Sequence, residues 1–459
     1  MQNNSTTQEL GTSKISKLLM QYAIPSIIAM TASSLYNIMD SIFIGHGVSA
    51  LALSALSISL PLMNLAAAFG AMVGIGASSL MSIKLGQHDI ASAKAILGNA
   101  LLLNVIIGLL FGLICLIFLD DILFRFGASD DTITYARDYM RIILIGNVFT
   151  HIYLGLNNIL RATGYPRKSM IVMLIAVGFN GILNALFIFV FGWGIAGAAW
   201  ATVIVQVGAM VIQLFHFTNH KYAICITRDI FKFDNKIIIG ILAIGLAPFL
   251  MNVSASVVVI FINNALKASG GAVFGDIYIG AYGIVNRIAM IFVLVVFGIN
   301  QGMQPIIGYN YGAKNYDRVN KVLKLGIIAA TCITSFGFIL GVFFPKLVSM
   351  MFTPDPVLLA VSEEGLRIVM IAFPVVGFQI VASNFFQSIN QAHKAIFLSL
   401  TRQLIFLLPL LLILAPLWGS KGVWWSMPIS DTIATVLAAI LLIKQYQKFK
   451  QPKLNANLS

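Results

Sequence analysis

Apolar runs of roughly 20 residues or more recur twelve times along the chain, each long enough to cross a hydrocarbon core about 30 Å thick. They predict helices over 18–44, 53–83, 93–119, 134–160, 168–191, 195–217, 236–266, 277–309, 319–344, 360–386, 396–416 and 421–447. Several exceed the minimum, so tilt or a kink is expected. Pro25 and Pro248, at matching places in the first and seventh runs, are the expected bending points, since proline removes a backbone donor and clashes with the preceding turn.

The pattern also repeats. L-G-Q-H-D-I-A-S-A-K-A-I-L at Leu85 returns as Y-G-A-K-N-Y-D-R-V-N-K-V-L at Tyr311, 226 positions later. W-G-I-A-G-A-A-W at Trp193 returns as W-G-S-K-G-V-W-W at Trp418. Six runs per half is an even number, so both halves enter the membrane from one side and are related by an axis along its normal. The expected organisation is an all-α integral membrane protein of twelve transmembrane helices: an N-terminal six-helix lobe (1–217), a cytoplasmic linker (218–236) and a C-terminal six-helix lobe (237–459). The other loops are too short for an extramembrane catalytic domain.

Composition agrees, with 59% hydrophobic residues, 10% charged and a mean hydropathy of +0.92. The net charge of +13 suggests a nucleic-acid partner until its distribution is read. Most of the 29 Lys and Arg residues fall at the two ends of the chain and in alternate loops, including Lys84, Arg167 and Lys321. Asp120, Asp121, Asp130, Asp131, Glu363 and Glu364 collect in the others. This positive-inside asymmetry predicts a multi-pass protein of the cell membrane with both termini cytoplasmic and no polyanionic partner. Cys115, Cys225 and Cys332 imply no disulfide framework, and no cleaved signal peptide is expected.

A carboxylate in a span is costly, about 2.5–3.5 kcal/mol at a helix centre, so function is sought first at Asp40 and Asp431. Helical spacing places Ser33, Tyr36, Asn37 and Asp40 on one polar face of the first helix. Asn180 and Asn184 share a face of the fifth, and Thr202 and Gln206 one of the sixth. Each group reads either as interhelical glue or as part of a cavity. Converging on Asp40, they supply the oxygens that a small hard cation needs. Asp431 stands opposite Gln206 in the repeat, either as a cavity group or as an ion-pair partner for Arg287; Asn263 stands opposite Asp40. Met30, Met173 and Met290 are placed where adaptable side chains could line a promiscuous cavity.

Several local patterns together make the chain resemble multidrug and toxic compound extrusion (MATE) transporters of the DinF-type branch. They are the Pro25 site followed by Y-N-I-M-D-S-I-F-I-G, R-A-T-G-Y-P-R-K at Arg161, F-N-G-I-L-N-A-L-F-I-F at Phe179 and G-W-G-I-A-G-A-A-W-A-T at Gly192. The resemblance spans all twelve runs. It implies a cation-coupling site at Asp40, Asn180 and Thr202, with Tyr139 as a neighbour on the fourth helix and Pro25 as the point of bending. One position departs: Leu183-Asn184-Ala185 replaces the Leu-Asp-Pro that the family usually carries. With one carboxylate instead of two, the expectation tilts toward H⁺ coupling through Asp40, and Na⁺ retains Asn184 as an oxygen ligand.

The expected activity is export of lipophilic, often cationic small molecules by a monomer that needs no cofactor beyond the coupling ion. A flippase for a lipid-linked or amphiphilic substrate is the alternative. An enzyme is not expected: the acid pairs at Asp120 and Asp130 lack the spacing of a diphosphate–Mg²⁺ site, and there is no Walker-type glycine loop.

Overall fold

The computed structural model describes residues 5–456, and those residues are almost entirely helical. The membrane helices are α1 (Ile15–Gly47), α2 (Ala50–Gly86), α3 (Ile90–Ile117), α4 (Ile133–Ala162), α5 (Pro166–Val190) and α6 (Gly194–Thr218). They continue as α7 (Asn235–Gly271), α8 (Phe274–Gly312), α9 (Tyr316–Phe343), α10 (Pro356–Ser388), α11 (Ala392–Trp418) and α12 (Ser420–Ala456). All twelve expected spans are present, and most run a few residues past the apolar stretch that predicted them.

Local chemistry sets the boundaries. Asp89 caps α3 by accepting the Ser92 N–H at 3.0 Å, and Asn315, its counterpart in the repeat, caps α9 through the Arg318 N–H at 3.4 Å. Asp234 and Asp355 cap α7 and α10 in the same way. Gly271, at φ 58° and ψ −153°, separates α7 from α8 in a conformation open essentially only to glycine. The chain stays helical through Pro25 and Pro248. The sharp break falls instead in α10, where Pro356–Met370 and Phe373–Ser388 meet at 54°. Pro374, the second residue of the second piece, has no N–H to continue the first. Two π-helical turns, Leu186–Val190 in α5 and Thr401–Leu407 in α11, have no signature in the apolar pattern.

The halves meet at the end of the bundle that holds both chain termini. There a continuous apolar core joins Leu18, Tyr22, Val73 and Met81 to Ile241, Ile306 and Val381. At the opposite end the first six helices keep a separate core around Ile44, Leu56, Tyr139, Leu144 and Ile195. Glycines set the closeness of the joint. A side chain at Gly86 would run into the Tyr309 carbonyl, and one at Gly312 into the Ile83 carbonyl. Both pairs of positions differ by 226, so each contact is the other turned about the twofold axis. Gly298 and Gly302 of α8 lie against Ile27 and Tyr22–Ala23 of α1, and Gly245 of α7 lies against Met72 of α2. Gln304 then donates across the seam to Ser79 and, at 3.2 Å, to Ser78.

A short helix, Ser5–Thr12, crosses this end. Its Leu10 carbonyl accepts from Asn310 at 2.9 Å and Arg318 at 3.2 Å, and Arg318 also donates to the Ser13 carbonyl at 2.7 Å. A cation at a helix C-terminus satisfies orphan carbonyls and complements the dipole. The stretch between α6 and α7 is tied down too: Asn99 of α3 donates to the Lys232 carbonyl and accepts the Asp234 N–H, both at 3.1 Å.

A candidate cation site among α1, α4, α5 and α6

Asp40 sits about four-fifths of the way along α1, in the half away from the termini, and is 3% exposed. An isolated carboxylate there would be prohibitively costly, so its partners define the site. Asn184 Nδ2 donates to Asp40 Oδ1 at 2.5 Å and to Asn180 Oδ1 at 3.0 Å. One turn back on α5, Asn180 Nδ2 donates to the Tyr36 hydroxyl at 3.1 Å and to Thr202 Oγ1 at 3.4 Å. The i, i+4 pair on α5 therefore bridges α1 to α6. Asn180, Asn184 and Thr202 are buried, as is Tyr139 of α4, whose hydroxyl lies within the field of the Asp40 carboxylate.

Two oxygens in this pocket lack hydrogen-bond partners among the described residues: Asn184 Oδ1 and the Tyr139 hydroxyl. A buried unpaired oxygen costs about 1–3 kcal/mol, which a bound water, hydronium or small cation would recover. Asp40, Asn184, Tyr139 and Thr202 together form an all-oxygen donor set of single negative charge, suited to a proton or a hard monovalent cation. Among the described residues no cluster of three or more His, Cys, Asp or Glu side chains suits a transition metal.

The remaining expected residues divide. Gln206 points to α4 and accepts from Thr150, one turn along from Thr202. Pro25 lies in the part of α1 that rests on Gly298 and Gly302. Asn37 is on α1, but its side chain lies outside the described residues. Met173 is half-buried on α5, two turns from Asn180. His151 and Asn147 pack the interior of the first six helices, through the Ala66 and Gly108 carbonyls at 2.9 and 3.3 Å.

The second six helices hold no copy of this site. Asn263, opposite Asp40, has a buried Oδ1 without a partner. Asp431 does not pair with Arg287, which is exposed on α8; its partner is Arg402 of α11, with Nε 2.6 Å from Oδ1. Spacing along single helices could not reveal that pair, because it joins two helices through the π-helical turn of α11. Arg402 reads in sequence as a lone charge near the start of an apolar run.

A family model described as MatE matches residues 25–186 and 244–413, one segment in each half. Multidrug export protein MepA of Staphylococcus aureus (strain NCTC 8325 / PS 47) is 28% identical over 436 residues, covering 94% of each chain. Its counterpart in Staphylococcus haemolyticus (strain JCSC1435) is 27% identical over 430 residues, again covering 94% of each. A crystal structure of MATE in the bent conformation superposes with a TM-score of 0.91 at 24% identity, covering 97% of this chain and 98% of the other. An outward-facing multidrug resistance MATE transporter of the MOP superfamily gives 0.89 at 24% identity, covering 98% and 99%.

Proposed function

Because the chain belongs to the MatE family of membrane transporters, we propose that it is a DinF-type multidrug exporter of lipophilic, often cationic compounds, coupled to H⁺ or Na⁺ through Asp40. The family is one of transporters, and the chain is not an enzyme. The observation that carries the coupling assignment is the buried Asp40 carboxylate, held by Asn184, in a pocket with two oxygens that lack partners among the described residues, Asn184 Oδ1 and the Tyr139 hydroxyl. With both termini cytoplasmic, the sealed end of the bundle is the cytoplasmic one, and the exporter is in a state that faces outward.

In this reading α1 is the transmission. Its outer half carries Asp40, and Tyr22 to Ile27, around Pro25, rests on the α8 glycines. Asp40 lies about 22 Å from Pro25 along the helix axis. Loading a cation on Asp40 changes what that half of α1 must pair with. A bend at Pro25, where one backbone hydrogen bond is already missing, passes the change to the seam between lobes. Coupling requires only that cation and substrate favour different arrangements of these elements. A monomer holds every residue the scheme uses.

The test is efflux by purified protein in proteoliposomes, with pH and Na⁺ gradients imposed separately. Asp40→Asn should abolish gradient-driven efflux while leaving substrate binding within about threefold, since it removes the ionisable group and keeps the shape. Full gradient-driven transport by that variant would falsify the assignment. The flippase alternative calls for a cationic central cavity, whereas Arg141, Arg287 and Arg367 are exposed, Arg161 is taken up by Asn157 and Asn158, and Arg402 is neutralised by Asp431.

A further inference from the structure

We propose that Arg402, held by Asp431, is a subsite for the carboxylate of amphiphilic substrates in the second six helices. Arg402 lies ten residues into α11 and Asp431 eleven into α12, so both stand roughly 15 Å from the nearer helix end. Charges at that depth are heavily penalised against lipid and face a protein recess or a watered cavity instead. Neither side chain is sealed: 25% of Arg402 and 10% of Asp431 remain accessible. The repeat gives the direction, because Asp431 stands where Gln206 stands, on the face of α6 that turns to Thr150 and the Asn180–Thr202 network.

The ion pair uses one edge of the guanidinium. Nε donates to Asp431 Oδ1 at 2.6 Å, and among the described residues Nη1 and Nη2 have no protein acceptor. Their N–H groups form a planar fork matched to a carboxylate. Asp431 stands on the Nε side, so it neutralises and orients the fork without blocking it. Ser430 fixes the backbone on the same turn, donating to the Arg402 carbonyl at 2.5 Å. A cationic group would have to displace Arg402 from the less accessible Asp431, so the geometry favours an oxyanion.

The inference rests on the reading that the chain exports lipophilic small molecules, to which it adds those carrying a carboxylate, but its test is a binding measurement without any gradient, so a failure of the coupling scheme leaves it standing. Dansyl-phenylalanine and its methyl ester differ only in the carboxylate. With full-length protein in detergent, Arg402→Gln should weaken the acid about tenfold or more, the loss of a charge-assisted hydrogen bond, and change the ester less than twofold. Arg402→Lys should fall between, keeping the charge without the fork. Asp431→Asn should keep or tighten acid binding. Retained ester binding and monodisperse elution identify a folded variant; if Arg402→Gln does not fold, the other two carry the test. Equal weakening of acid and ester, or no difference between wild type and Arg402 variants, overturns the proposal. So does tighter binding of dansylcadaverine to an Arg402 variant with acid affinity unchanged, which would make Asp431 the group that meets the substrate.

Discussion

Asn184 is the residue on which the chemistry of the proposed coupling site turns. As an amide it donates to Asp40 and to Asn180 at once, and it adds no charge. Changing Asn184→Asp would place two carboxylates within hydrogen-bond reach, which cannot both ionise there without a cation between them. Transport by that variant should become more dependent on Na⁺, with half-maximal activity at several-fold lower Na⁺ than in wild type. Efflux measured against Na⁺ at fixed pH checks this, and an unchanged Na⁺ response would remove Asn184 from the ion's surroundings. Asp40, Asn180, Asn184 and Thr202 were legible in sequence because helical spacing groups them and because a polar residue in an apolar run is conspicuous. Which of them touch was not, since the bonds run between helices up to 144 positions apart. Arg402 was missed for the same reason: its partner stands 29 positions away across a turn, and Arg287 was the expected one.

At the scale of elements, the seam between α2 and α8 leaves no room for a side chain at a glycine of each helix. Gly86 and Gly312 let each helix backbone touch the other's carbonyls, and Cβ atoms fit at neither place. Gly86→Leu or Gly312→Leu should force the helices apart and cost about 1–3 kcal/mol in the sealed arrangement, the usual penalty for overpacking. The expected readout is a lower melting temperature and faster labelling of a cysteine placed at Ser82, which lies against Gly308. Unchanged labelling in both variants would mean that the seam tolerates separation without opening. The twelve spans were readable because lipid imposes length and apolarity on any crossing helix. The π-helical turns and the 54° break in α10 were not, because they depend on local hydrogen-bond register and on Pro374, one proline among the 13 in the chain.

For the whole molecule, the short helix Ser5–Thr12 matters because it precedes the membrane helices of the first lobe and is clamped by the second. Arg318 holds its end through the Leu10 and Ser13 carbonyls. Arg318→Ala should release this helix, giving at least several-fold faster proteolysis near Ser13 while the membrane core stays intact. Protection equal to wild type would show that Asn310 and the packing of Gly11 on Tyr309 suffice.

The turns at matching places in the two halves carry a record that their residues do not. His88 and Lys314 both have φ near +58°, Gly164 and Asn390 both have positive φ, and so do Gly194 and Gly419. Only the last pair keeps the same residue, although a left-handed conformation is strained for His and Lys. If the halves arose by duplication, the backbone path has outlasted the amino acids that first made it easy. His88→Gly and Lys314→Gly should then each relieve native strain while loosening the unfolded chain, two opposing effects that leave stability nearly unchanged.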